Sequence, residues 1–241
     1  MSFEGKRVLV TGAGKGIGRE VARLLAARGA IVVALSRSGA DLESLQQEIA
    51  CETILADLAD IPTTLEEVAR ALPIDLLVNN AGIAALEPFL TTSPETVRRV
   101  LTVNTEAPLF LAQLVAGDMV KRGIKGAIVN VSSNAATLGV IDHVAYCASK
   151  AALDAITRVA AVELGAHGIR VNSVNPTITL TPMGEMAWSD PAKSQPMLAR
   201  MPLGRFLQSG EVAEAICFLL SEAASGITGF SLFVDCGFGA R

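Results

Sequence analysis

The sequence predicts an α/β fold in which a parallel β-sheet is buried under helices. Three observations carry that prediction. Of 241 residues, 51% are hydrophobic and only 4% aromatic, so the core must be aliphatic, as in a sheet covered by helices. Short β-branched runs alternate along the chain with segments whose apolar residues recur at helical spacing. The first of these units is strand, glycine-rich turn, helix and strand, about the length of a βαβ crossover.

In chain order, Arg7 to Thr11 reads as a buried strand, followed at once by the glycine cluster Gly12-Ala13-Gly14-Lys15-Gly16-Ile17-Gly18. The segment from Arg19 to Arg28 is helical and stops at Gly29, and Ala30 to Leu35 is the second strand. A glycine turn in that setting presents bare backbone N–H groups at a helix N-terminus, where a phosphate binds well. The glycines that fit are Gly12, Gly16 and Gly18, because Ile17 breaks the plain G-x-G-x-x-G spacing. A site that selects NAD usually has an acid at the end of the second strand. Here Ser36-Arg37-Ser38 stand there instead. Arg37 and Lys15 suit a 2′-phosphate, so the charge pattern points to NADP(H).

Asp41 to Ala50 reads as a helix and Glu52 to Ala56 as a strand, followed by Asp57-Leu58. Asp57 either hydrogen-bonds an adenine amine or caps the next turn. A helix from about Thr64 to Ala71 leads to the strand Ile74 to Val78, which ends in Asn79-Asn80-Ala81-Gly82. Side-chain amides there suit tying strand ends together, while Gly82 lets backbone approach a ligand. The region from about Pro94 to Lys121 is mostly helical, with Asn104 interrupting its apolar face. That asparagine is a local packing compromise, a water holder or a bend. Ala127 to Val131 is a strand that delivers Ser132 and Ser133 to the edge where open α/β sheets bind ligands.

Tyr146 and Lys150 begin the next helix, four positions apart and therefore on one face. A nearby ammonium favours the phenolate and draws the tyrosine toward the working pH range, which makes the pair a proton-transfer site. After the strand Ile169 to Val174, the stretch from Thr177 to about Arg205 has weak periodicity, four prolines and the only tryptophan, Trp188. It reads as a substrate lid at about 177–205. A helix near Glu211 to Ser221 and a strand from Ser231 to Asp235 complete a single catalytic domain, 1–241.

Composition also excludes some classes. The net charge is −4 and no Lys/Arg block occurs, so nucleic acid is not an expected partner. No run approaches the roughly 18 apolar residues of a membrane span, and the N-terminus lacks an apolar signal core. Four cysteines and two histidines are scattered without metal-ligand spacing. The expectation is a soluble, cytoplasmic protein with no metal.

Taken together, Thr11-Gly12-x-x-x-Gly16-x-Gly18, Asn79-Asn80-Ala81-Gly82, Asn104, Ser133 and Tyr146-x-x-x-Lys150 resemble the short-chain dehydrogenase/reductases over essentially the whole chain. The resemblance implies a Rossmann-type, doubly wound sheet of about seven parallel strands, a nicotinamide cofactor and a homotetramer. It implies that Tyr146 is the general acid/base, that Ser133 polarises the substrate carbonyl, and that Lys150 binds the nicotinamide ribose and lowers the tyrosine pKa. Asn104 would hold a relay water, Asp57 and Asn80 would contact the adenosine, and Thr181 would meet the carboxamide. With Leu58, Ala81, Gly82 and Pro176 these complete the expected cofactor contacts. Thr177 departs from the family, which usually has glycine after Asn175-Pro176, and puts the local turn in question. Ser36-Arg37 and Trp188-Ser189-Asp190-Pro191 are similar to the family's ketose and dicarbonyl reductase branch. That branch implies NADPH bound through Lys15 and Arg37, and a small carbonyl substrate facing Asn134, His143 and Trp188. The enzyme alternatives are a sugar alcohol, a steroid or a 3-oxoacyl thioester; the non-enzyme alternative is a dinucleotide sensor.

Overall fold

Strands from both ends of the chain meet in one sheet. The computed structural model describes every residue except 182, 183, 185–187 and 241. The strands are β1 (Arg7–Thr11), β2 (Ile31–Ser36), β3 (Cys51–Leu55), β4 (Leu76–Asn79), β5 (Ala127–Val131), β6 (Arg170–Pro176) and, last in the chain, Ser231–Val234. All seven are parallel, in the order β3-β2-β1-β4-β5-β6 and then the last strand. This is a Rossmann-type doubly wound sheet, as the sequence led one to expect.

Period-two alternation along the strands divides the core into two layers. Val8, Val10, Val32, Ala34 and Val129 face one side, where they meet Val21 and Leu25 of α1 (Gly16–Ala27) and Leu42 and Leu45 of α2 (Gly39–Glu48). Leu9, Val33, Leu77 and Ile128 face the other side. There they meet Val68 of α3 (Ile61–Arg70) and, further along the chain, Leu111 and Val115. Each such aliphatic side chain contributes about 1.5–3 kcal/mol on burial. The outer strand β3 is the exception, with Leu55 exposed at the edge of the sheet.

The long central helical region is not one regular helix. α4 (Pro94–Leu101) and α5 (Ala107–Arg122) are joined by a π-helical turn, Thr102–Glu106, centred on the fully buried Asn104. Pro94–Arg122 is also the one described helix long and apolar enough to cross a membrane, a feature the sequence reading did not detect. Half of its apolar window is buried in the protein. α6 (Val144–Leu164) packs behind the carboxyl ends of β5 and β6.

The expected lid at about 177–205 has more structure than its prolines suggest. It contributes a two-residue pairing between β7 (Thr179–Leu180) and β8 (Leu207–Gln208), and the helix α7 (Pro191–Leu198), which contains Pro196. The part of that expectation falling on 182, 183 and 185–187 lies outside the described residues. α8 (Ser209–Leu220) follows with a capping box between Gln208 and Glu211, and packs on α1. Ser231–Val234 is then β9.

Candidate active site

The order β2-β1-β4-β5 makes β1 and β4 adjacent while their connections leave in opposite directions, which opens a crevice at their carboxyl ends. A cleft of about 490 Å³ lies there. Gly12 and Gly16 line it, both in the left-handed region (φ 66° and 56°) that favours glycine. Gly18 does not line it. A Cβ at Gly18 would stand 2.3 Å from the Gly12 carbonyl oxygen and 2.4 Å from Asn80 Nδ2, so this glycine serves close packing of helix on strand. The strand ends are tied together: Asn80 Nδ2 donates to the Thr11 carbonyl at 2.9 Å, and Asn79 Nδ2 to Asn130 Oδ1 at 2.9 Å.

Lys15, Ile17, Ser36, Arg37, Asp57, Leu58, Asn80, Ala81, Gly82 and Thr181 also line the cleft. Lys15 is 75% exposed and pairs with Asp41 at 3.2 Å, whereas Arg37 forms no ion pair among the described residues. Asp57 caps its own turn, accepting from Ala59 N at 3.0 Å, so both sequence-level readings of this residue fit its position. Pro176 is buried in β6 and does not line the cleft. Sequence reasoning missed Ile83, Arg99 and Val103, which do. Ile83 carries a signal only in hindsight: Asn104 clamps it, donating to its carbonyl and accepting from its N–H, both at 2.8 Å. A third bond runs from Asn104 Nδ2 to Ser149 Oγ at 3.0 Å. The amide therefore fastens the β4 loop to α6.

Next to the crevice, Ser133 lies beside Tyr146 and favours its phenolate, while its hydroxyl donates to Asn134 Oδ1 at 3.3 Å. Ser132 is turned away, donating to the Lys150 carbonyl at 3.2 Å, which separates the two serines by role. Lys150 is 3% exposed, donates to the Val131 carbonyl at 2.8 Å, and places its Nζ 5.7 Å from the Tyr146 ring centre. The electrostatics differ from the sequence expectation. Burial pushes Tyr146 above the usual tyrosine value, opposed by Ser133. Burial also pushes Lys150 down to about 8, opposed by Asp154. Desolvation outweighs the attraction between the pair, because each charged form loses water on burial.

His143, immediately before α6, stands edge-on to Tyr146 with ring centres 6.1 Å apart. Asn134 Nδ2 donates to Thr177 Oγ1 at 3.0 Å. Thr177 therefore fits where glycine was expected, and its φ is not positive. Trp188 packs on Phe206 with ring centres 5.5 Å apart and adjoins the core, which is the contact of a packing anchor.

The chain's sequence and fold are matched by known proteins. A family model described as enoyl-(acyl carrier protein) reductase matches residues 12–239. D-erythrulose reductase of Gallus gallus is 52% identical over 239 residues, covering 99% of this chain and 97% of its own. The chain belongs to the short-chain dehydrogenase/reductase family. L-xylulose reductase of Bos taurus is 51% identical, with 99% and 98% of the two chains covered. Among solved structures, a candidate NAD(P)-dependent gluconate 5-dehydrogenase of Beutenbergia cavernae, with NADP bound at low occupancy, is 35% identical. It superposes with a TM-score of 0.94 over 100% of this chain and 99% of its own. As a short-chain dehydrogenase/reductase, the chain is an NAD(P)-dependent oxidoreductase acting on a CH–OH or carbonyl group, and its glycine cradle and cationic lip suit a dinucleotide.

Proposed function

We propose that the protein is an NADPH-dependent reductase of small ketoses or α-dicarbonyls. The reading rests on one arrangement: Ser133, Tyr146 and Lys150 converge beside a cleft whose rim carries Lys15 and Arg37. The names of the relatives at about half identity, erythrulose and xylulose reductases, support the substrate class.

Bound in the cleft, NADPH supplies the hydride. Ser133 hydrogen-bonds the substrate carbonyl oxygen and stabilises the charge that develops on it. Tyr146 gives its phenolic proton to that oxygen, so the carbonyl becomes an alcohol. Lys150 holds the ribose and, as ammonium, stabilises the phenolate left behind. Asn104 keeps the β4 loop fastened to α6 beside this group. Gly12, Gly16 and Ile17 cradle the phosphates, while Lys15, Ser36 and Arg37 meet the 2′-phosphate. Asn134 and His143 face the substrate, with Trp188 backing the lid.

The same reading makes residues 1–241 one catalytic domain, in a cytoplasmic homotetramer. Exposed Phe110 on α5, and Val159 and Val162 on α6, support an apolar subunit interface. The test follows NADPH oxidation with L-xylulose, D-erythrulose and diacetyl. Turnover with at least one is expected, abolished by Tyr146→Phe while NADPH binding persists. Inertness toward all three, or wild-type turnover in that variant, removes the proposal.

A further inference from the structure

Asp154 lies one turn beyond Lys150 on α6, and the reaction outlined above gives it no part. It is 4% exposed. Its Oδ2 accepts from Asn175 Nδ2 at 2.7 Å, and its Oδ1 is buried with no hydrogen-bond partner among the described residues. Asn175 is fully buried and spends its other amide proton on the Ser133 carbonyl, at 3.0 Å. Its Oδ1 accepts from Ser173 Oγ at 3.0 Å, so the amide cannot turn over without facing two acceptors. One carboxylate is thus joined to Ser133 through Asn175 and to Lys150 by charge. A buried charge is costly unless it is matched, and a neutral asparagine would fill the same space.

We infer that Asp154 is a positioning residue, which keeps Lys150 an ammonium beside Tyr146 and, through Asn175, fixes the Ser133 loop. The inference rests on the roles given to Tyr146 and Lys150 above. Among the described residues, Asp154 is the acid whose charge acts on Lys150. On α6, Tyr146 and Cys147 are neutral when protonated, and Arg158 is exposed and makes no ion pair among the described residues. β5 and the turn after it supply hydroxyls and amides, as do β6 near the site and Asn104 of the π turn. Glu106 of that turn, and Arg98 and Arg99 of α4, are exposed. His143 meets Tyr146 by its ring edge. From the final strand β9, Ser231 joins the network by a 2.9 Å hydroxyl–hydroxyl bond with Ser173.

The test has two readouts. NMR of lysine side chains in the ligand-free protein should show one lysine titrating near 8, absent in Lys150→Met. In Asp154→Asn that midpoint should fall by about one pH unit, as expected when a neighbouring opposite charge is removed. The alkaline limb of kcat/KM for ketone reduction should fall with it, while the low-pH plateau stays within about twofold of wild type. Asp154→Ser, smaller and neutral, should reproduce both shifts and serves if the asparagine variant does not fold. An unmoved lysine midpoint, an unmoved limb, or uniform loss of activity at every pH overturns the inference. Failure of the catalytic reading itself is separate, since it appears as turnover in Tyr146→Phe.

Discussion

Replacing Arg37 with Ala, and then with Asp, tests the cofactor assignment. Arg37 is exposed at the cleft and has no hydrogen bond or ion pair among the described residues, so its removal leaves the fold alone. A charge-assisted hydrogen bond to the 2′-phosphate contributes about 1.5–3 kcal/mol. Arg37→Ala should therefore weaken NADPH binding roughly ten- to 150-fold and leave NADH nearly unchanged. Arg37→Asp adds repulsion and should carry the preference over to NADH. Lys15 behaves differently, because it must leave Asp41 to reach a phosphate. That exposed pair is worth only about 0.2–1 kcal/mol, so the phosphate wins. Asp41→Asn should then strengthen NADPH binding, by no more than about fivefold. The assay is kcat/KM for each cofactor at fixed ketose concentration and ionic strength. Equal NADPH-to-NADH ratios in wild type and Arg37→Asp would refute the reasoning.

Ser133→Ala should lower kcat by about 10²–10³, as loss of one oxyanion donor does, whereas Ser132→Ala should stay near wild type; steady-state kinetics on the pair checks this. Gly18→Ala has no room for its Cβ against Gly12 and Asn80, so thermal melts should show destabilisation of about 1–3 kcal/mol together with weaker dinucleotide binding. A Tm equal to wild type would mean that the turn yields where the packing says it cannot. Lys150→Met should alter the pH dependence of stability with a definite sign. The folded value near 8 lies below the usual 10.5, so the unfolded chain binds more protons between those limits and wild-type stability rises with pH across that window. The variant lacks that slope, so denaturant melts across the window should show its stability flat where that of wild type rises.

Much of the site was legible because its parts are local. Strand, glycine turn and helix announce a phosphate cradle within a dozen residues, and Tyr146 and Lys150 share a face through helical spacing alone. What stayed hidden depends on packing between distant segments. Ser132 and Ser133 are equivalent by sequence and differ because α6 offers the first a backbone carbonyl, while the second lies by Tyr146 and bonds within its own turn. Asn104 reads as a weak helix former, yet it is the centre of a π turn that clamps Ile83. Gly18 was counted with the ligand-facing glycines, but its neighbour is the Gly12 carbonyl. Trp188 reads as a pocket wall or a packing anchor, and its contact with Phe206 comes from a distant segment. In each case the residue type was informative, and the element packed against it decided the use.

The electrostatic correction bears on the direction of the chemistry. Spacing alone suggested that Lys150 keeps Tyr146 near ionisation, which would suit a base waiting for an alcohol. In the structure, burial raises the tyrosine and lowers the lysine, so the ligand-free pair drifts toward its neutral form. A neutral phenol next to Ser133 is already a proton donor, the form that ketone reduction needs at neutral pH. Giving up that proton leaves a buried phenolate, which low dielectric makes costly unless an ammonium faces it. Lys150 supplies that charge only below about 8 unless something holds it protonated, and Asp154 opposes its loss. Reduction should accordingly be favoured at and below neutral pH and weaken through the range in which Lys150 titrates. Alcohol oxidation, which starts from the phenolate, needs the same ammonium and should not strengthen there. Measuring both directions across that range with one ketose–alcohol pair decides the point: an oxidation limb that climbs as Lys150 titrates would mean that this pair does not control the proton.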